Sequence, residues 1–171
     1  MCRVVIFGNS GSGKTSLARR LSGEMNWPHL DLDSIAWKEA DPPVRAELAE
    51  SVAGIEDFRA NNSSWVIEGC YASLIAHAAR HATDMVFLNI GTEACVENCR
   101  SRPWEPEKYP SEAAQNENLA MLIDWVKAYD TRDDEFSLRE HRAIYEAFGG
   151  KKVEIKTNAE AKNMAPPSAV G

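Results

Sequence analysis

The stretch Arg3-Val4-Val5-Ile6-Phe7-Gly8-Asn9-Ser10-Gly11-Ser12-Gly13-Lys14-Thr15-Ser16 decides the fold. Its first half is a short, β-branched apolar run halted by Gly8, the pattern of a strand buried on both faces of a parallel sheet. Its second half spells GxxxxGK[ST]. From Lys14 onward Leu17, Ala18 and Leu21 recur at helical spacing, with Arg19 and Arg20 on the other side, until Asn26-Trp27-Pro28 ends the pattern. A complete phosphate-loop motif between a buried strand and a helix is the context in which that motif holds a nucleotide.

Each position has a physical reason. The glycines permit a loop whose backbone N–H groups converge on a phosphate, and the helix starting near Lys14 aims its positive dipole end at the same place. The Lys14 ammonium can bridge β- and γ-phosphate oxygens and follow the charge as it moves, while the Thr15 hydroxyl suits a Mg²⁺ ligand. ATP and Mg²⁺ are therefore the expected cofactors, bound by Gly8, Asn9, Ser10, Gly11, Ser12, Gly13, Lys14, Thr15 and Ser16.

Outward from the loop, apolar strand-like runs alternate with helical patterns. Residues 29–33 alternate like a strand end, 44–60 carry Leu48, Val52, Ile55 and Phe58 at helix spacing, and 65–68 form the next strand. Residues 72–81 read as helix, 85–90 as a central strand and 93–102 as the helix after it. Repeated strand–helix alternation implies right-handed βαβ crossovers, hence an α/β/α three-layer sandwich around a parallel sheet. Pro103, Trp104, Pro106 and Pro110 break the pattern over 102–110 and predict a surface flap. Leu119, Leu122, Ile123, Val126 and Tyr129 mark a long amphipathic helix. Ser137 with Glu140 is a capping box opening a helix that stops at Gly149-Gly150, and 151–156 supply a last strand. The expected organisation is one domain over 1–158, with a lid at about 102–132 and a fraying tail over 159–171.

Composition narrows the function. The chain has 171 residues, 44% of them hydrophobic, with 19 Lys plus Arg against 26 Asp plus Glu, a formal net charge of -7. A chain of this size buries roughly 70% of its unfolded surface, enough for a core without disulfide or metal staples. Its acidity argues against nucleic acid as a partner and requires any polyanionic ligand to be met by locally gathered cations. Cys2, Cys70, Cys95 and Cys99 show no zinc spacing, the four histidines form no ligand spacing, and the apolar run Val4–Phe7 is too short for a membrane span or signal segment. These features point to a reduced, cytoplasmic protein whose partners are ATP and a small-molecule acceptor.

Asp31 and Asp33, two apart on an extended segment, are expected to point to one side at the carboxyl end of their strand, where open parallel sheets keep ligands. Asp31 then serves a metal-bound water and Asp33 orients or deprotonates an acceptor hydroxyl, with helix capping as the alternative for Asp33. Glu68, closing the apolar run Trp65-Val66-Ile67, suits a metal-side acid on a neighbouring strand. Thr15, Asp31 and Glu68 are thus the candidate metal ligands. Arg100 and Arg102 precede the flap and Arg132 and Arg142 follow it, cations available to close over a γ-phosphate. Lys14, Asp33, Arg102 and Arg132 are the candidate catalytic residues, with Arg102 and Arg142 also on the nucleotide. Trp125 and Tyr129, at helix spacing, read as core.

These segments resemble the nucleoside monophosphate kinase and shikimate kinase superfamily. The resemblance covers most of 1–158. Within it HLDLD, WVIEGCY, CRSRPWEPEKY and TRDDEFSLREHR are closest to small adenylate-kinase-like proteins labelled DNA topology modulation proteins. The resemblance implies a five-stranded parallel core, Mg·ATP and an acceptor site beside the second and third strands. It also places Arg102 at a lid arginine and aligns Asp133-Asp134 with Arg142 to an RxDD…R segment, from which Arg132 departs by one residue. Glu68-Gly69-Cys70-Tyr71-Ala72 falls where adenylate kinases carry DGFPR, without its phosphate-clamping arginine. The pair Asp31 and Asp33 resembles the DxD of shikimate kinases, without that family's glycine triplet. The reading that follows is a phosphotransferase acting on a small hydroxyl acceptor. A monophosphate kinase in which Arg45, Arg59 or a lid arginine replaces the clamp is the alternative, and an ATP-binding switch the third.

Overall fold

The computed structural model describes residues 1–40, 42–106 and 109–167. At its centre lies β1 (Arg3–Gly8), buried from Val4 to Gly8, flanked by β5 (Trp65–Gly69) and β6 (Asp84–Leu88), which are buried throughout. With β2 (His29–Asp31) and β7 (Lys151–Ile155) at the edges, they form one five-stranded sheet in the order β2-β5-β1-β6-β7, every pair parallel. The three inner strands read as continuous apolar runs because helices cover both faces. β7 keeps Lys151, Lys152 and Val153 exposed, and an edge strand carrying lysines resists pairing with another chain.

Alternate residues of each strand feed two cores. Val4, Ile6, Val66, Val86 and Leu88 pack under α1 (Lys14–Met25), α5 (Thr92–Arg100) and α6 (Glu112–Lys127). Val5, Phe7, Ile67, Met85 and Phe87 pack under α3 (Leu48–Ala60), α4 (Ala72–Ala79) and α7 (Leu138–Ala147). This is the three-layer α/β/α arrangement expected, with the five-stranded parallel sheet in its middle. Among the described residues no helix is long and apolar enough to cross a membrane. Cys2, Cys95 and Cys99 are buried free thiols and Cys70 is a half-buried one.

Three segments differ from the sequence reading. The strand expected over 29–33 ends at Asp31, because the Asp31 carboxylate accepts from Asp33 N at 2.9 Å and Ser34 Oγ donates to Asp31 O at 2.6 Å. That local side-chain turn opens α2 (Asp33–Ala36) instead of extending β2. The helix expected from 44 starts at Leu48, since β4 (Val44–Arg45) pairs antiparallel with β3 (Trp37–Lys38). Beyond β7, α8 (Asn158–Asn163) lies where a fraying tail is expected. Thr157 Oγ1 accepts from Glu160 N, the Glu160 carboxylate accepts from Lys156 N, and Arg20 donates to the carbonyls of Ala161 and Met164. The capping and the Arg20 bonds hold this segment against α1; residues 168–171 lie outside the described ones.

Phe7 and Phe87 stack with centroids 4.9 Å apart, and the buried His141 ring meets Phe7 edge-on at 5.5 Å. His141 Nε2 lies 2.8 Å from the Cys70 carbonyl, which can only accept, so Nδ1 accepts from the Tyr129 hydroxyl at 2.8 Å. Burial, opposed by the Cys70 carbonyl bond and assisted by the Lys14 charge, pushes His141 down from 6.5 to about 4. Below an unfolded-state value near 6.5 the unfolded chain therefore binds the extra proton. The stability that His141 contributes is present above that pH and is lost as pH falls toward 4, by roughly 3 kcal/mol in all. Urea denaturation at pH 7 and pH 4.5 is expected to show this loss in the native chain, and His141→Gln is expected to remove most of the difference between the two pH values.

Candidate functional site

The loop from Gly8 to Thr15 sits at the carboxyl end of β1 and is pinned from behind. Gly11 has φ +76, and a Cβ there would lie 2.4 Å from the Cys95 carbonyl oxygen, so only glycine lets α5 support the loop this closely. Asn98 Nδ2 donates to Gly11 O at 2.8 Å and Asn9 Nδ2 to Val126 O at 3.0 Å. Lys14 Nζ donates to Asn9 O at 2.7 Å, which curls the side chain back over the loop. The Ser12 hydroxyl is buried and meets no hydrogen-bond partner among the described residues. An orphaned hydroxyl in a phosphate-loop sequence just ahead of α1 fits a phosphate oxygen. A cavity of about 700 Å³ opens in front of the loop, bounded by Lys14, Ser16, Arg102, Trp104, Asn158 and Lys162.

Glu68 lies at the carboxyl end of β5, 2% exposed, and Thr15 Oγ1 donates to its Oε1 at 2.8 Å. His29 Nε2 approaches the same oxygen at 3.7 Å. Asp31 is the register partner of Glu68 on the adjoining strand, so its side chain leaves the sheet on the same face. Thr15, Asp31 and Glu68 therefore belong to one neighbourhood, and a hydroxyl with two carboxylates is an oxygen set suited to Mg²⁺. The chain turns at Leu32, so Asp33 opens α2 instead of continuing the strand on whose alternation the pairing was expected, and Asp31 accepts from the Asp33 backbone N at that turn. Asp33 faces Tyr71, whose hydroxyl donates to its Oδ1 at 2.7 Å while accepting from Trp37 Nε1 at 2.7 Å. Burial and the Asp33 carboxylate push the Tyr71 hydroxyl strongly upward, which keeps it a donor.

All four arginines around the flap hold carboxylates. Arg100 lies 3.7 Å from Glu97, and Arg102 meets Glu105 at 3.1 Å on the cavity wall. Arg142 grips Glu154 with two bonds at 2.7 and 3.0 Å, and Asn89 steadies the same carboxylate. Arg132 meets Asp134 at 2.8 Å and lies flat on Trp125 with 3.4 Å to the ring centroid. Its Nη1 is buried without a hydrogen-bond partner among the described residues. Tyr129 is core as the spacing predicts, whereas Trp125 is 37% exposed and serves as the platform for Arg132.

Sequence reasoning left Trp37, Tyr71 and Phe136 without roles, and the structure gathers them with Glu135. Arg45 stacks over Tyr71 at 4.5 Å and reaches Glu135 at 3.5 Å. Tyr71 meets Phe136 edge-on at 5.3 Å, and Phe136 meets Trp125 at 5.2 Å. An aromatic wall thus runs from Arg45 to Arg132 beside Asp33. Of the arginines considered as substitutes for the missing clamp, Arg45 stands at this wall, while Arg59 is held by Glu56 on α3. Cys70 marks the junction between the wall and the loop: burial pushes its thiol up to about 12, and the charges of Lys14, Asp33, Glu68 and Glu135 all act on it.

The sequence matches no protein-family model and no curated protein. Solved structures do match. A gluconokinase from Sinorhizobium meliloti 1021 superposes with a TM-score of 0.54 at 15% identity, over 92% of this chain and 83% of that one. A shikimate kinase from Acinetobacter baumannii, in complex with shikimate, gives 0.51 at 15% identity, over 92% and 84%. A sugar kinase from Janibacter sp. HTCC2649 gives 0.50 at 13% identity, over 91% and 86%. What these three structures share with this chain is the fold.

Gly11 and Gly23 offer a paired test of the loop. Gly11→Ala is expected to weaken ATP binding at least roughly tenfold in titration calorimetry, since a strained φ together with a backbone clash costs about 1–3 kcal/mol or moves the loop. Gly23 lies within α1, where a Cβ meets nothing within 4 Å, so Gly23→Ala is expected to leave ATP binding intact and raise stability by about 0.5–1 kcal/mol.

Proposed function

We propose that this chain is a Mg·ATP-dependent small-molecule kinase that phosphorylates a hydroxyl held against Asp33. The observation that carries the reading is the convergence of loop and wall. Glu68, which accepts from Thr15 of the loop, and Tyr71, which donates to Asp33, stand three residues apart where β5 ends, so one short segment carries both the phosphate side and the acceptor wall. When bound, Mg·ATP supplies the γ-phosphoryl group. Thr15, Glu68 and Asp31 would hold the metal, the loop N–H groups and Ser12 the phosphates, and Lys14 the developing charge. Asp33, kept in place by the Tyr71 hydroxyl, orients the acceptor and takes its proton. Residues 102–132 act as the lid, with Arg102 already on the cavity wall and Arg132 holding a buried nitrogen that has no hydrogen-bond partner among the described residues. Arg142 would reach a nucleotide only by releasing Glu154. The four free thiols suit a reducing cytoplasm.

One observation favours a second reading, a monophosphate acceptor. Arg45 restores a guanidinium beside Tyr71, where the adenylate-kinase-like stretch lacks one, and its planar fork suits a phosphate.

A γ-phosphoryl transfer screen with Mg·ATP separates these, using hydroxylated metabolites in one panel and nucleoside monophosphates in the other, with Lys14→Ala as control. The proposal expects a Lys14-dependent product in the hydroxyl panel; product only from monophosphates selects the second reading, and ATP binding with no product in either panel removes both in favour of a nucleotide-binding switch. With the acceptor in hand, Asp33→Asn is expected to lower turnover by about 10²–10⁴ while leaving ATP affinity unchanged. Equal loss of both would reassign Asp33 to structure.

A further inference from the structure

A second cluster of ligating side chains lies away from the phosphate loop. Among the described residues, Glu56, His77 and His81 are the one group of three His, Cys, Asp or Glu side chains whose ligand atoms all fall within 4.8 Å of one another. His77 ends the last turn of α4 and His81 follows one residue past its Arg80 cap, four residues later, so both rings leave the same side of the chain. Glu56 comes from α3, the helix packed alongside. The helix α4 starts just after β5 at the loop end of the sheet and runs back, which puts this cluster at the opposite edge of the molecule.

The geometry is more than one hydrogen bond. His77 Nε2 is 2.8 Å from Glu56 Oε1, and His81 Nε2 is aimed at that same oxygen from 3.8 Å, beyond hydrogen-bond reach. The three donors around a tetrahedral Zn²⁺ stand about 3.3 Å apart when each bond is about 2.0–2.1 Å. The Glu56–His77 and Glu56–His81 spacings of 2.8 and 3.8 Å bracket that value, and all three ligand atoms lie within 4.8 Å of one another. Arg59 grips both carboxylate oxygens, Nη2 on Oε2 at 2.8 Å and Nε on Oε1 at 3.1 Å. An ion bound at Oε1 displaces the Nε contact and leaves the Nη2 contact to orient the carboxylate, the role that outer partners of metal ligands commonly take.

We propose that Glu56, His77 and His81 form a binding site for a borderline divalent transition ion of the Zn²⁺ class, clamping the end of α4 to α3. Two imidazoles and one carboxylate suit Zn²⁺ or Co²⁺ and disfavour Mg²⁺ and Ca²⁺, which take oxygen. Three protein ligands leave a fourth position to water. The sequence reading finds no ligand spacing among the histidines, and the structure corrects it: His77 and His81 stand four apart on one side of the chain, and the third ligand, 21 residues upstream of His77, is brought in by packing.

The test is titration of the full chain with ZnCl₂ in excess Mg²⁺, followed by calorimetry, and with Co²⁺, followed by its visible absorption. One ion per chain is expected, with Co²⁺ bands of a nitrogen and oxygen set and no thiolate charge-transfer band. His77→Ala and His81→Gln are each expected to weaken binding roughly tenfold or more, with far-UV circular dichroism unchanged. His81→Gln is the safer variant, because His81 lies outside the helix. Absence of Zn²⁺ binding, a thiolate band, or undiminished affinity in His81→Gln overturns the proposal and leaves the cluster a hydrogen-bonded contact between helices.

Discussion

The buried carboxyl group of Glu68 is the constraint around which the rest is arranged. It sits at the end of an inner strand with almost no access to water, and burying such a group without partners is costly. The chain answers with the Thr15 hydroxyl at 2.8 Å, which ties α1 to β5, while His29 Nε2 stands 3.7 Å away, beyond hydrogen-bond reach. The pairing of β2 with β5 makes Asp31 the neighbour of Glu68. A group that must be satisfied therefore also builds the place where a hard cation fits.

What was legible in the sequence was local. The strand Arg3–Gly8, the loop after it, the inner strands and the Ser137 capping box each announce themselves within a few residues, and their physics is short-range. What was not legible was set by tertiary partners or by a competing local bond. Asp31 and Asp33 alternate as a strand would, but an aspartate that accepts from the backbone two residues on favours a turn, and that bond accompanies the start of α2 where the strand was expected to continue. Tyr71 carries no motif; it becomes a site residue only because Trp37 and Asp33, each more than 30 positions away, meet its hydroxyl. Thr157 and Glu160 do form a capping pair, and it is hidden in a segment whose Ala and Pro content reads as tail.

The arginines show why a count of charges near a flap does not identify a γ-phosphate contact. Each has a carboxylate partner, and their settings differ. Arg100 is exposed with an exposed glutamate, a pairing of little energetic consequence. Arg142 is fixed by a bidentate bond and lies over Phe87, so releasing it means breaking a steadied pair. Arg102 and Arg132 are the two for which a phosphate could compete: one on the cavity wall with a partner three residues away, the other stacked on Trp125 with a nitrogen unused.

The two halves of the site rest on different supports. The phosphate side is embedded: its loop is tied to Cys95, Asn98 and Val126, and its helix is rooted in the core through Leu17, Ala18 and Leu21. The other side rides on α2, a two-residue pairing of β3 with β4, and side chains at the surface such as Trp37, 45% exposed. Arg45 anchors that flank by donating to the Ala36 carbonyl and stacking on Tyr71, so its orientation depends on a few contacts rather than on the sheet. Nucleotide binding should then tolerate little change around the loop. Acceptor choice can be altered by substitutions between Asp33 and Arg45 without disturbing the core, because no inner strand of the sheet runs through that segment.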